Sequence, residues 1–563
     1  MKIRILVVLA ICGLLAGAAT SNAQTVVHQD VKAVLQAAAK AMGVDTVKTI
    51  TITGSGTTRA FGQAYAPPSF GGNAPDEDFP VLEMPSYTRV IDYDAKYSRE
   101  ELVRRQGNNP QRGGGGIPIQ GDQRQIFVNS GNFAWNVNAD NSIAAQPALA
   151  EQRAMEIILT PHGFIKAARE ARDASAVTLM MSGNDPTIGK NAGPAGRKVT
   201  YVAFTTMNGK YRFGGAIDDQ NLVERTFTYI GNPVMGDLLW QWDYTNYRDM
   251  AGIKFPGVLH AHWGDIRAEP HHGIEIRVAN ITLNTPIADK EAPAAVRSAT
   301  VAPVRAEASQ LAPGVWKIGG GSHHSIAVEF NDHITVIEAP QNEDRSMAVI
   351  REVQRVIPNK PIRYLVVTHH HFDHSGGVRT YVAHGATLVT HEANREFFDR
   401  HVLGHPVPRM IQPDILSTYY PRFAADRLPV FDTVEPPRNS RINPRAAAGR
   451  SKLVLSDGNQ SIELYAVTGL NHTADMLIAY LPKDKILVNA DLFSPPAAGA
   501  AAPMPNQSMT ALRDNIARLR LDVARHVGIH GEIATHEQFM SIVGTAGQRG
   551  APAGQRGGQR GNP

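Results

Sequence analysis

Thr368-His-His-His-Phe-Asp-His-Ser-Gly-Gly377 places four metal-ligating side chains, His369, His371, Asp373 and His374, within six residues. The run directly follows Tyr364-Leu-Val-Val367, an apolar stretch of β character, so the ligands sit at the end of a strand. A strand end is a rigid edge, which is where a catalytic metal site has to be built. Imidazole together with carboxylate suits zinc, and also iron or manganese, better than calcium or magnesium. The plainer reading is a histidine-rich surface loop; an HxHxDH spacing immediately after a strand argues against it.

Four side chains so close together cannot surround a metal alone, and further candidates follow, each closing an apolar run. Ser461-Ile-Glu-Leu-Tyr-Ala-Val467 leads to Gly469-Leu-Asn-His472-Thr-Ala-Asp475, Lys485-Ile-Leu-Val-Asn-Ala-Asp491 ends on a carboxylate, and Val527-Gly-Ile-His530 ends on a histidine between glycines. This set resembles the metallo-β-lactamase fold superfamily from roughly Leu311 to Gly544. The resemblance implies an α/β fold, an αββα sandwich of two packed halves. It implies that His369, His371 and His472 hold one metal ion, that Asp373, His374 and His530 hold a second, and that Asp491 bridges them. Two zinc ions are the expected cofactors, with iron or manganese as alternatives.

Departures within the superfamily narrow the expectation. Some zinc β-lactamases carry cysteine where Asp491 stands, and the single cysteine here, Cys12, lies far from the motif. Flavodiiron proteins place an acidic residue at the position of His371, and persulfide dioxygenases keep a smaller ligand set. What remains resembles the Asp-bridged hydrolases of esters, thioesters, lactones, sulfates and phosphodiesters, with β-lactam hydrolysis as the alternative. A small-molecule substrate is expected. Asp373 is the residue expected to orient the nucleophile. Thr368, His391 and Thr473 are candidates for holding ligand imidazoles in one tautomer; for His391, a place on a helix N-terminal turn is an equal alternative.

Lys2 and Arg4 precede an apolar run, Ile5 to Ala19, and the small-x-small pattern Ser21-Asn22-Ala23. This is the pattern of a cleavable signal peptide over 1–23. An apolar run of about 15 residues falls short of the roughly 20 that cross a bilayer, so no stable membrane span is expected after cleavage. Periplasmic or secreted location follows, with a mature chain lacking any thiol. Of 563 residues, 43% are hydrophobic and 19% charged, and the net charge of +4 offers no electrostatic case for nucleic acid. Arg104 to Gly116 and the Gly/Gln/Arg-rich 546–563 read as a solvated loop and a disordered tail.

Residues 24–302 read as a separate, mainly antiparallel β (α+β) domain, and 303–545 as the metal domain. The first opens on an amphipathic helix, with Asp30 as N-cap, an apolar face over Val31 to Met42, and Gly43 as stop. Strand signals then dominate, interrupted by one helical stretch near Leu149 to Arg172. The pattern loosely resembles periplasmic lipoprotein-carrier half-barrels, which implies a concave face for an apolar ligand. A periplasmic ligand- or partner-binding protein with a subsidiary metal domain is therefore the alternative of another class. His260 and His262 alternate in Leu259-His-Ala-His-Trp263, with His271-His272 beyond. The favoured reading is the polar face of a half-buried strand; a second metal site is the other. Ala292 to Pro313 reads as a linker. The proline-rich Gly404 to Arg450, with Tyr419, Tyr420, Phe423 and Phe431, reads as a long loop walling the substrate site.

Overall fold

The computed structural model describes residues 27–68, 78–180, 197–264, 271–404, 409–419, 431–435, 452–497 and 499–544. The expected signal peptide, the tail, Tyr420, Phe423 and most of 404–450 lie outside them.

In the amino-terminal domain the helix Val31–Met42 starts where Asp30 accepts from the Lys32 amide and stops at Gly43, whose φ of 70° is left-handed. Its apolar face (Leu35, Ala38, Met42) is buried. The helical stretch near Leu149 is two helices, Ala150–Ile158 and Pro161–Glu170, separated because Thr160 caps the second on the Gly163 amide. Fourteen of the described strands form one sheet, with Val27–Gln29 at one edge and Ile143–Ala145 at the other, and Arg248–Met250 with Ile253–Phe255 forms a separate two-stranded sheet. Strands Tyr97–Arg105, Tyr211–Ile217 and Val223–Asn232 add to those expected. Leu35, Met42, Phe164 and Ile165 from the helices share one core with Phe204, Trp240 and Ile276 from the sheet. The face that the half-barrel resemblance reserves for an apolar ligand is thus covered by the chain's own helices.

The stretch expected to be a linker is structured. Ala294–Arg297 is a short helix, and Glu307–Ala312 is the first strand of the next sheet, paired with Val315–Gly319. The metal domain contains a seven-stranded and a six-stranded sheet. Leu311, Val328 and Val366 of the first meet Leu464, Leu477 and Val488 of the second in one core. Helix Glu343–Val356 covers the outside of the first sheet; Gln507–Leu519 and His536–Val543 cover the second. This is the αββα sandwich. Within the 404–450 region Phe431 belongs to a strand, Phe431–Val434, parallel to Thr387–His391, and packs on the core rather than at the site. The Arg409 guanidinium donates to the carbonyls of Asn232, Pro233 and Val234, joining this region to the amino-terminal domain.

Candidate metal centre

Strand Ile362–Val366 delivers the motif, and the short helix Phe372–Ser375 carries Asp373 and His374. The donor atoms of His369, His371 and His472 lie within 4.8 Å of one another, as do those of His323, Asp373, His374 and His530, and those of His369, His374 and Asp491. Asp491 stands between the first two groups. Its Oδ1 is 3.1 Å from His374 Nε2 and 3.3 Å from His530 Nε2, while Oδ2 is 3.4 Å from His472 Nε2. All seven expected ligands therefore converge, and an eighth residue, His323, joins them through its Nε2, 3.1 Å from Asp373 Oδ2.

Four of the rings, those of His369, His371, His374 and His530, are each oriented by a hydrogen bond to one nitrogen. Thr368 Oγ1 shares a hydrogen bond with His369 Nδ1 (3.0 Å), and Glu338 Oε2 accepts from His374 Nδ1–H (2.7 Å). Ser322 O accepts from His530 Nδ1–H (3.1 Å). Ala64 O accepts from His371 Nε2–H (2.9 Å), so the lone pair of His371 is on Nδ1. Partners of this kind fix the tautomer and ring plane that ligation needs. His369 Nε2, His371 Nδ1, His374 Nε2, His472 Nε2 and Asp491 Oδ1 are buried without a well-formed hydrogen bond. Buried polar atoms are ordinarily satisfied; five orphans converging on one spot fit a cation held by imidazole and carboxylate.

Electrostatics divide the rings. Burial, reinforced by neighbouring imidazoles, holds His369 and His371 well below the usual histidine range. Burial also acts on His374, but the carboxylates of Asp491, Glu338 and Asp373 overcome it and raise it well above that range. Asp491 is held far below the usual carboxylate range, its burial outweighed by His374, His472 and His530.

Of the three candidate orienting residues, Thr368 touches a motif imidazole. The Thr473 hydroxyl instead donates to Asp475 and lies 3.1 Å from Tyr65 O. His391 accepts from the Ala393 amide and caps the turn Glu392–Asn394, the second of the two places expected for it. Two anchors are missed by reasoning from the sequence. Asp475 takes the His370 ring (3.0 Å) and amide (3.1 Å); strand-like alternation points His370 away from His369 and His371. Glu338 accepts the Thr368 amide (2.8 Å) besides His374, from a left-handed φ of 76°, a conformation uncommon for a residue with a Cβ. A carboxylate directly after the apolar strand Ile334–Ile337 is its sequence signal. For His323 the signal is the histidine pair ending Gly319-Gly-Gly-Ser-His-His324.

The amino-terminal domain reaches the site. Gln63 Nε2 donates to Asp373 Oδ1 (2.7 Å), Gly62 O accepts the Phe372 amide (3.2 Å), and Tyr65 O accepts the Ala474 amide (2.8 Å). Arg104 to Gly116 is not merely a solvated loop: the Gly113 amide donates to Asn471 O (2.8 Å) and the Gly114 amide to Gln63 O (3.1 Å). A Cβ on Gly114 would stand 2.6 Å from His371 Cε1, so only glycine allows this approach. At Gly62, φ is 75° and a Cβ would collide with the Phe372 ring.

Residues 318–527 match the family described as the metallo-beta-lactamase superfamily. The carboxy-terminal part of this chain is a metallo-beta-lactamase superfamily domain. Similar solved structures include a metallo-beta-lactamase from Pontibacter korlensis, with 18% identity, a TM-score of 0.29, and coverage of 42% of this chain and 97% of that one. Another is FIM-1 from Pseudomonas aeruginosa in its mono-zinc form, with 16% identity, a TM-score of 0.27, and coverage of 43% and 94%. No curated protein matches the chain. The superfamily match supports a domain of metal-dependent hydrolase kind. Among the described residues, no helix is long and apolar enough to cross a membrane.

Proposed function

We propose that the chain is an exported, dinuclear metal-dependent hydrolase of an ester, thioester, lactone or related bond. The observation that carries this reading is the Asp491 carboxylate, one oxygen facing His374 and His530 and the other facing His472. A single carboxylate shared by two nitrogen-rich groups is the donor set of a bridged pair rather than of one closed structural ion. His369, His371 and His472 would hold one ion, Asp373, His374 and His530 the other, and Asp491 both. When bound, such a pair, zinc first with iron or manganese as alternatives, supplies a water of near-neutral pKa and a Lewis acid for the oxygen under attack.

The chain's own residues do the positioning. Asp373 orients the nucleophile, and its carboxylate is clamped from two sides, by Gln63 on Oδ1 and by His323 on Oδ2. The Ala64 carbonyl keeps His371 in the ligating tautomer. The loops around Gln63 and Gly114 wall one side of the site, so the amino-terminal domain shapes substrate choice.

Metal-replete protein assayed on chromogenic esters, thioesters, lactones, β-lactams, phosphodiesters and sulfates tests this reading. Hydrolysis of one class, lost together with metal in Asp491→Ala and His371→Ala, is expected. Full activity in either variant would sink the dinuclear assignment, and preference for β-lactams would replace the substrate class. Inactivity on every member with a tightly retained lipid would favour the binding protein. Export is tested by cell fractionation and amino-terminal sequencing, with Gln24 as the expected first residue.

A further inference from the structure

A second group of imidazoles lies on the amino-terminal sheet, apart from the residues described above. Strands Gly236–Thr245, Val258–Gly264 and His271–Leu283 are antiparallel neighbours. His262 pairs with His272 across one ladder, and His260 pairs with Asp243 across the other. An irregularity between His260 and His262 sets two residues of one strand against three of its neighbour, and such a bulge re-aims side chains locally. The three rings end with centroids 4.3, 5.2 and 5.2 Å apart.

A polar sheet face needs no such convergence, and two details exceed it. His272 Nδ1 and His260 Nε2 are 3.3 Å apart, the separation of two ligand nitrogens on a tetrahedral ion with bonds of about 2.0–2.1 Å. His262 Nδ1 is buried with no hydrogen-bond partner among the described residues. Its Nε2 faces Asp243 Oδ2 at 3.5 Å, and Asp243 is itself held by Arg225 Nε (2.6 Å) and Gln241. A carboxylate behind an imidazole is the usual outer support of a histidine metal ligand.

We propose that His260, His262 and His272 form a second metal site, for a borderline transition-metal dication such as zinc. Three neutral imidazoles select zinc, copper or nickel over calcium or magnesium. The ion cross-links two strands beside Trp263. That ring packs on Phe61 (4.9 Å), which packs in turn on Phe372 of the catalytic motif (5.4 Å). The site therefore stiffens the support of the loop that reaches Gln63.

Full-length protein is stripped with chelator, reloaded with zinc, desalted and its metal counted by mass spectrometry. Wild type is expected to hold one zinc more than His260→Ala/His272→Ala, and His369→Ala/His472→Ala is expected to keep that zinc. Copper(II) added to the His369→Ala/His472→Ala chain should give an electron paramagnetic resonance signal with imidazole-nitrogen couplings. One bound copper and its share of those couplings should be lost when His260→Gln/His272→Gln, which preserves polarity at the surface, is added. Equal zinc in wild type and both paired sheet variants would overturn the site, as would bound copper and couplings left unchanged by His260→Gln/His272→Gln. The readout is independent of hydrolysis: an inactive chain whose zinc depends on His260 and His272 would retain this site while losing the hydrolase reading.

Discussion

Around the metal centre and in the amino-terminal core, histidine is buried in opposite company. In the metal domain His374 and His370 are fully buried, and each has a carboxylate on Nδ1, Glu338 and Asp475 respectively. In the amino-terminal domain His162 is equally buried, but among the described residues its hydrogen-bond partner is the Met42 carbonyl (3.2 Å), with Phe255 stacked at 5.7 Å. The consequence is a split in protonation. His374 is raised well above the ordinary histidine range because Asp491, Glu338 and Asp373 outweigh its burial, whereas burial lowers His162 to about 4. Carboxylates placed around a buried imidazole prepare it for a cation; without them the same ring is a neutral core residue.

The most severe way to break that contrast is to remove the shared carboxylate. Asp491→Ala should lower hydrolysis by at least about 10³-fold, in the range of a lost principal electrostatic element, and should lower bound metal in parallel; kcat/KM and metal analysis on the same sample decide it.

The neutral partner in the comparison yields a pH signature. His162 is lowered from 6.5 to about 4 in the folded chain, so its contribution to stability is complete above the unfolded value. It is lost as pH falls from about 6.5 through about 4, because only the unfolded chain takes up the proton. At about 1.36 kcal/mol per pKa unit this amounts to about 3 kcal/mol. Denaturant titrations of wild type and His162→Gln at pH 7 and pH 4 should differ by that amount in their pH dependence. An equal loss in both would remove His162 from the account.

Smaller changes probe the anchors. Glu338→Gln keeps the shape but not the charge behind His374, and should weaken metal binding about 10–100-fold, read by competition with a chromogenic chelator. Gln63→Ala, in the other domain, should lower kcat about tenfold through a loosened Asp373, while circular dichroism and metal content stay unchanged. His391→Ala should change kcat/KM by less than about threefold, since its ring caps a turn rather than orienting a ligand; a larger loss would restore a place for it beside the metal.

Much of the site is legible in the amino-acid sequence because its chemistry is written in local runs. His369, His371, Asp373 and His374 fall within one short stretch, and His472, Asp491 and His530 each close an apolar strand. Glu338, Asp475 and His323 are harder to see. Their partners lie 36, 105 and 50 residues away in sequence, and no local periodicity reports a hydrogen bond across that distance. Thr473 shows the reverse error: adjacency to His472 suggests a contact, and its hydroxyl points to Asp475 instead.

The strand-end HxHxDH run and the strand-closing His472, Asp491 and His530 are local in the sequence, and through them the resemblance to the metallo-β-lactamase superfamily implies the sandwich and the converging donors. Each such run is read from neighbours a few residues apart, whose directions the backbone period dictates. The roles of the Ala64 carbonyl, of Gln63 and of the bare Gly114 backbone come only from tertiary structure. A main-chain carbonyl has no residue-specific signature, and a glycine looks the same in a solvated loop as against an imidazole. The amino-terminal domain's part in the metal centre rests on such groups, which is why packing alone discloses it.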